Sequence, residues 1–196
     1  MASNTYIIKN GKRAIIIDAG ARLDNVLSAL KKDEILEAVL LTHGHFDHCF
    51  FAAEFQENGA KICINRNDAP MLESAEKNLS HYFGRATGFR PLKADIFPQD
   101  GDCLNFAGLK IKVLNTPGHS LGGVCYVIDN TIFTGDTLFF ESYGRTDLGD
   151  EVSFSDLKAS ILGKIFSLNG DYTVFPGHGQ STTLDYEREN NPINYD

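Results

Sequence analysis

The chain has 196 residues, with 26 acidic and 18 basic side chains and a formal net charge of −8. That length suits one domain with a core large enough to fold without disulfides. The acidic balance excludes the basic footprint of a general nucleic-acid binder, and an apolar content of 42% excludes wholesale disorder.

No apolar run approaches the roughly 18 to 20 residues that span a bilayer. Segment 1–12 lacks the continuous apolar stretch of a secretory signal and the arginines of a transit peptide. A cytoplasmic location is therefore expected, without membrane or nucleic-acid partners. Cys49, Cys63, Cys103 and Cys125 form no Cys-x-x-Cys and read as free thiols.

In chain order, Thr5–Ile8 and Ala14–Asp18 read as strands joined at Asn10-Gly11, a hairpin signal. Leu23, Val26, Leu27 and Leu30 share one helical face, with Lys31 and Lys32 at its C-terminal end. Ala38–Leu41 is a continuous apolar run, expected as a strand buried on both faces. A helix is expected over His48–Glu57, stopped by Asn58-Gly59, and then a strand over Lys61–Asn65. Arg66–Arg90 is weakly patterned and reads as a surface or lid-like segment with a short helix near Met71–Lys77. Leu109–Leu114, Val124–Ile128, Thr131–Thr134 and Thr173–Phe175 read as strands. Between the last two, Phe154, Leu157, Ile161, Ile165 and Leu168 mark a helix opened by Ser153 with Asp156.

The chemistry concentrates where apolar strands end. After Leu40-Leu41 comes Thr42-His43-Gly44-His45-Phe46-Asp47-His48, which packs three His and one Asp into six residues. Three later segments repeat the design of apolar run, small turn residues and potential ligand. They end at His119, at Asp136 and at His178. In open α/β sheets the ligand crevice lies beyond the carboxyl ends of strands. Imidazole and carboxylate are the usual ligands of zinc, iron and manganese. Five His and two Asp suffice for two ions sharing one carboxylate, with positions left for water. Gly44 is expected to permit a tight turn between His43 and His45.

These stretches, with Asp18-Ala19-Gly20, resemble the metallo-β-lactamase fold superfamily. Thr116-Pro117-Gly118-His119-Ser120-Leu121-Gly122-Gly123, Phe133-Thr134-Gly135-Asp136-Thr137-Leu138-Phe139 and Phe175-Pro176-Gly177-His178-Gly179-Gln180 look most like its glyoxalase II-type branch. Gly144-Arg145-Thr146-Asp147 and Tyr186-Glu187-Arg188 look like shorter bacterial members. The resemblance implies an α/β fold of the αββα four-layer type spanning 1–196 as a single domain. It implies that His43, His45 and His119 hold one metal, that Asp47, His48 and His178 hold a second, and that Asp136 bridges them. Two divalent ions are implied, zinc first, with iron or manganese as alternatives. Larger glyoxalase II enzymes continue into a helical glutathione-binding domain; only 18 residues follow His178 here, so that domain is expected to be lacking.

The reaction so implied is hydrolysis of a thioester, a hydroxyacylglutathione-like acyl-thiol, by metal-bound hydroxide oriented by Asp47. Alternatives are another ester, lactone, β-lactam or phosphodiester, or an iron-dependent persulfide dioxygenase. By position Arg145 matches a basic substrate-binding residue of that branch, with Tyr143 as companion; otherwise Arg145 ties its loop to Asp147 or Asp150. Asp18 reads either as a partner that orients a ligand or as a turn residue. Cys49 reads as a small buried residue before a redox thiol, and His81 as an exposed loop histidine. Phe51, Phe139 and Phe140 either line the cleft or pack.

Overall fold

The computed structural model describes residues 3–148 and 152–195. Its first sheet opens with β1 (Tyr6–Asn10) and β2 (Arg13–Ile17), an antiparallel hairpin whose turn holds Gly11 at φ +61°. Helix α1 (Leu23–Ser28) leads to β3 (Ile35–Leu40), which runs parallel to β2. Helices α2 (Phe46–Cys49) and α3 (Ala52–Glu57) precede β4 (Lys61–Cys63), parallel to β3. The order is β1-β2-β3-β4.

The second sheet takes β5 (Cys103–Phe106), β6 (Leu109–Asn115), β7 (Val124–Ile128) and β8 (Thr131–Gly135) as an antiparallel meander. A small hairpin, β9 (Leu138–Phe139) with β10 (Ser142–Tyr143), follows. Helix α4 (Phe154–Ser160) continues as one π-helical stretch, Ile161–Ile165. Strand β11 (Thr173–Pro176) then pairs parallel to β8, and β12 (Thr182–Thr183), α5 (Leu184–Asn190) and a 3-10 turn, Pro192–Asn194, follow. The order is β12-β11-β8-β7-β6-β5.

Strand alternation builds four layers. In β2, Ala14 and Ile16 face α3, packing with Phe55, whereas Ile15 and Ile17 face the other sheet. In β7, Tyr126 and Ile128 join that same central layer, while Cys125 and Val127 face Leu157, Ile161 and Leu184 of the outer helices. With a side-chain period of two, a strand apolar at every position has both faces covered. The αββα sandwich thus follows from three apolar layers between helix, sheet, sheet and helix.

Several boundaries differ from expectation for physical reasons. The helix expected over His48–Glu57 is two short helices starting earlier, at Phe46. Ala19 N–H takes the His48 carbonyl at 2.6 Å, and Phe51 N–H turns to the Ala19 carbonyl, so tertiary bonds interrupt the helical ladder. Helix α1 stops at Ser28 and leaves Leu27 exposed. The short helix near Met71–Lys77 is instead a 3-10 turn over Ala69–Glu73 with Pro70 in its first turn. The Ser153 cap forms as read, its hydroxyl accepting from Asp156 N–H at 3.1 Å. Among the described residues, no helix is long and apolar enough to cross a membrane.

The two sheets are joined by a buried bond, Tyr126 O–H donating to the Leu41 carbonyl at 2.9 Å. Tyr126→Phe orphans that carbonyl without changing the packing. Chemical denaturation is expected to show a loss of about 1 to 2 kcal/mol.

Candidate metal centre

Strand direction gathers the site. β6 and β8 each run antiparallel to β7, and β11 runs parallel to β8, so β6, β8 and β11 all end at one edge. Their ends deliver His119, Asp136 and His178. The end of β3 comes to the same place because Val124 N–H, at the start of β7, donates to the Thr42 carbonyl at 2.8 Å. His43 and His45 follow in the loop. His45 stands at the N-cap of α2, and Asp47 and His48 fill its first turn.

All seven expected donors converge. His43, His45 and His119 form one group with ring nitrogens within 4.8 Å of one another. Asp47, His48 and His178 form another, and His43, His48 and Asp136 link the two. His45 Nδ1 faces His119 Nε2 at 2.9 Å, and His48 Nε2 faces His178 Nε2 at 3.4 Å. Asp136 lies 3.2 Å from His48, 3.5 Å from His178 and 3.6 Å from His119. Asp47 Oδ2 is 3.2 Å from His178.

Neighbouring groups set which nitrogen of each ring faces inward. His48 Nδ1 sits 2.8 Å from Asp18 Oδ2, and His119 Nδ1 sits 2.8 Å from the Arg145 carbonyl. Each Nδ1–H therefore donates outward and leaves an Nε2 lone pair on the cluster. Asp18 also accepts from Thr42 N–H at 2.8 Å and from the Thr42 hydroxyl at 2.9 Å. The Thr42 oxygen then accepts from His43 Nδ1 at 3.2 Å, which points His43 Nε2 inward as well.

The donor set fits a metal. Buried His43 Nε2 and Asp136 Oδ1 have no hydrogen-bond partner. Unpaired buried polar atoms are costly, and a cation would satisfy both. Two imidazole nitrogens facing each other share at most one proton, whereas two lone pairs can share an ion. Burial holds His43 well below its ordinary range, and burial followed by the neighbouring His119 brings His45 down to about 3. Burial lowers His119 too. All three favour the neutral, ligating form. Hydrogen bonds to Asp136 and Asp47 push His178 up to about 9. Burial opposes the charge on His48, but Asp136 and Asp18 outweigh it and raise it. Burial would raise Asp136, but His48 outweighs that and holds it well below the carboxylate range. Protons here and a divalent cation are alternative ways to balance the same carboxylates.

Gly44 is needed for space rather than for a turn. Its φ is not positive, and a Cβ there would sit 2.6 Å from Met71 Cβ. Gly177 is similar: a Cβ would meet His48 Cε1 at 2.6 Å and press on Asp136 Oδ1.

Asp68 escapes a sequence reading. Its buried carboxylate accepts from Gly44 N–H at 3.1 Å, the Ser120 hydroxyl at 2.7 Å and Gly122 N–H at 2.6 Å. It thereby ties the His43–His45 loop to the His119 loop. The only local signal is a polar residue placed soon after the apolar strand β4, the pattern shared by the other four segments.

Arg145 and Tyr143 line a cavity of about 390 Å³ over the cluster, together with Phe139. The Arg145 guanidinium forks onto Asp147 at 2.6 and 2.7 Å, the loop-tying arrangement. Asp150, its other expected partner, lies outside the described residues. Tyr143 also packs on Phe154 with ring centroids 5.5 Å apart. Phe51 packs in the core and Phe140 stacks on Tyr186, so of the three aromatics only Phe139 lines the cavity. The Cys49 thiol is fully buried, donates to the Gly44 carbonyl, and is pushed up by burial, which makes it inert packing. His81 is exposed and stacks edge-on with Tyr82.

An αββα sandwich with His and Asp converging at one edge of both sheets defines a class of metal-site proteins. Residues 1–178 match the metallo-beta-lactamase superfamily, and the chain belongs to it. It is 33% identical over 189 residues to hydroxyacylglutathione hydrolase GloC of Haemophilus influenzae, covering 93% of this chain and 87% of that one. The structure is similar to the BLEG-1 B3 metallo-beta-lactamase at TM-score 0.87 and 34% identity, over 97% and 93% of the two chains. It is also similar to TTHA1623, solved in a di-iron-bound form, at TM-score 0.85 and 33% identity, over 97% and 94%.

Asp68→Ala leaves three buried donors unpaired. Denaturation of the variant is expected to show a loss of about 2 to 4 kcal/mol. A stability equal to that of the parent would show that water replaces the carboxylate.

Proposed function

We propose that the chain is a binuclear metal-dependent hydrolase of thioesters. The carrying observation is the cluster beneath the cavity, where seven N and O donors converge, five of their residues line the cavity, and two buried donor atoms lack partners. In this reading His43, His45 and His119 hold one ion, Asp47, His48 and His178 hold the other, and Asp136 lies between them. When bound, the two ions would generate a nucleophile from water near neutral pH and polarise the substrate carbonyl.

The rest falls to the chain's own groups. Asp18 and the Arg145 carbonyl keep His48 and His119 in the tautomer that ligates. Asp47, half-buried on the cavity wall, is placed to orient the attacking water and accept its proton at Oδ2. Its carboxyl is held below the usual range because His178 outweighs burial, which keeps it ionised. A departing thiol has a pKa of about 8.5, so the leaving group needs no acid. That property, with the likeness to a hydroxyacylglutathione hydrolase, favours a thioester. The likeness to a B3 metallo-beta-lactamase supports a second reading, hydrolysis of a β-lactam amide. Zinc is the first candidate metal. The same donor set accepts iron and manganese, and the likeness to a di-iron-bound protein keeps iron in view.

The test is metal content and hydrolysis measured on one preparation, with S-lactoylglutathione, other acyl-thiols and a β-lactam as substrates. About two ions per chain and thioester cleavage are expected, lost on chelation and restored by metal. Stoichiometric metal with β-lactam cleavage alone would replace the thioester reading by the second one.

Asp18→Ala removes the acceptor that orients His48. Chelator competition is expected to show metal affinity lowered by about 10- to 100-fold.

A further inference from the structure

Most of the cavity wall is apolar. Phe46 and Leu79 stand on one side, and Phe139, Tyr143 and Leu148 are also in the lining. Phe83 reaches over from the 74–90 segment and packs on Phe46, ring centroids 5.4 Å apart. The residue is still 57% exposed, although it borders a cavity of about 390 Å³. An exposed aromatic at a cavity mouth gains most when a ligand covers it.

Positive charge is scarce in the same wall. Apart from the histidines of the cluster, Arg145 is the lone cation among the described lining residues. Its guanidinium is already forked onto the Asp147 carboxylate, which competes with any substrate carboxylate for the same two donors. A glutathione carrier brings two carboxylates, and among the described lining residues the one side-chain cation beyond the histidines is already paired.

We infer that the cavity selects an acyl-thiol carrying an aromatic or bulky apolar group beside the scissile bond, on a thiol without paired carboxylates. The inference narrows the hydrolase reading above and rests on it. Phe46 and Phe83 form the surface on which the apolar group lies. Arg145, neutralised by Asp147, offers little net attraction to a carrier with two carboxylates.

The test uses the metal-loaded protein and four thioesters, lactoyl and phenylacetyl, each on glutathione and on N-acetylcysteamine. Phenylacetyl-N-acetylcysteamine is expected to have kcat/KM roughly tenfold or more above lactoylglutathione, after correction for spontaneous hydrolysis. Phe83→Ala, at an exposed position that spares the core, is expected to cut the phenylacetyl-to-lactoyl ratio several-fold. Calorimetry with two uncleavable thioethers, S-benzyl-N-acetylcysteamine and S-benzylglutathione, reads the cavity without hydrolysis; the neutral one is expected to bind more tightly. A preference for lactoylglutathione, or tighter binding of S-benzylglutathione, overturns the inference. Failure to bind either thioether overturns it as well. Tight binding of the neutral thioether with no thioester cleaved leaves the ligand class standing and removes the thioester reading instead.

Discussion

The buried carboxylate of Asp18 is the constraint on which the centre depends. It stands just past β2, where Ile17 pairs with Leu40, and its N–H donates to the Leu40 carbonyl at 3.1 Å. Its backbone is held at φ +60°, a left-handed conformation that costs a non-glycine residue about 1 kcal/mol or more. From there the carboxylate reaches three donors across the strand end, Thr42 N–H, the Thr42 hydroxyl and His48 Nδ1. One side chain therefore couples the register of the first sheet to the direction of the His48 Nε2 lone pair. The Asp is buried to 2% exposure, and among the described residues its one ion-pair partner is His48, so those three bonds are what make its burial tolerable.

Asp68 does for the second pair of loops what Asp18 does for the first. It bridges Gly44 to Ser120 and Gly122, across 52 to 54 residues of chain for the latter two. Together the two carboxylates join the loop after β3 to its own sheet and to the loop after β6. The clustered histidines need this support because like groups are being crowded: the His43 ring centroid lies 4.1 to 4.8 Å from those of His45, His48 and His119. Such rings do not gather for packing energy alone. The surrounding strands and buried acids hold them there.

This division explains what could be read from sequence. The converging His and Asp residues were legible because each follows an apolar strand by a few residues, so local order carries the information. The central strands were legible for the same reason, since β2, β3 and β7 are apolar at nearly every position. Asp68 was not, because its meaning lies in contacts with distant loops. Strand β5, Cys103-Leu104-Asn105-Phe106, sits at a sheet edge, and its mixed pattern of exposed and half-buried residues looks like a loop. Helix α5 hid behind Asp185, Glu187, Arg188 and Glu189, yet Glu187 is fully buried. It accepts from Glu141 N–H, the Thr182 hydroxyl and Asn191 Nδ2, satisfactions that no period reveals.

Those Glu187 bonds also bear on how chemistry and selectivity divide. Asn191 Nδ2 donates to the Ser142 carbonyl at 3.0 Å, and Glu187 holds Glu141, so α5 and the residue after it clamp the β9–β10 hairpin. That hairpin carries Phe139 and Tyr143 to the cavity wall, and the opposite wall comes from Phe46 and the 74–90 segment. The donors beneath them are set by strand ends and by two buried acids that belong to neither wall. Arg145 joins the two systems through different atoms: its carbonyl orients His119, while its guanidinium stands at the rim. A change of side chain there can therefore alter what enters the cavity and leave the His119 acceptor in place. The walls are free to vary around a fixed centre, so a likeness in the ligand set speaks to reaction class more strongly than to substrate.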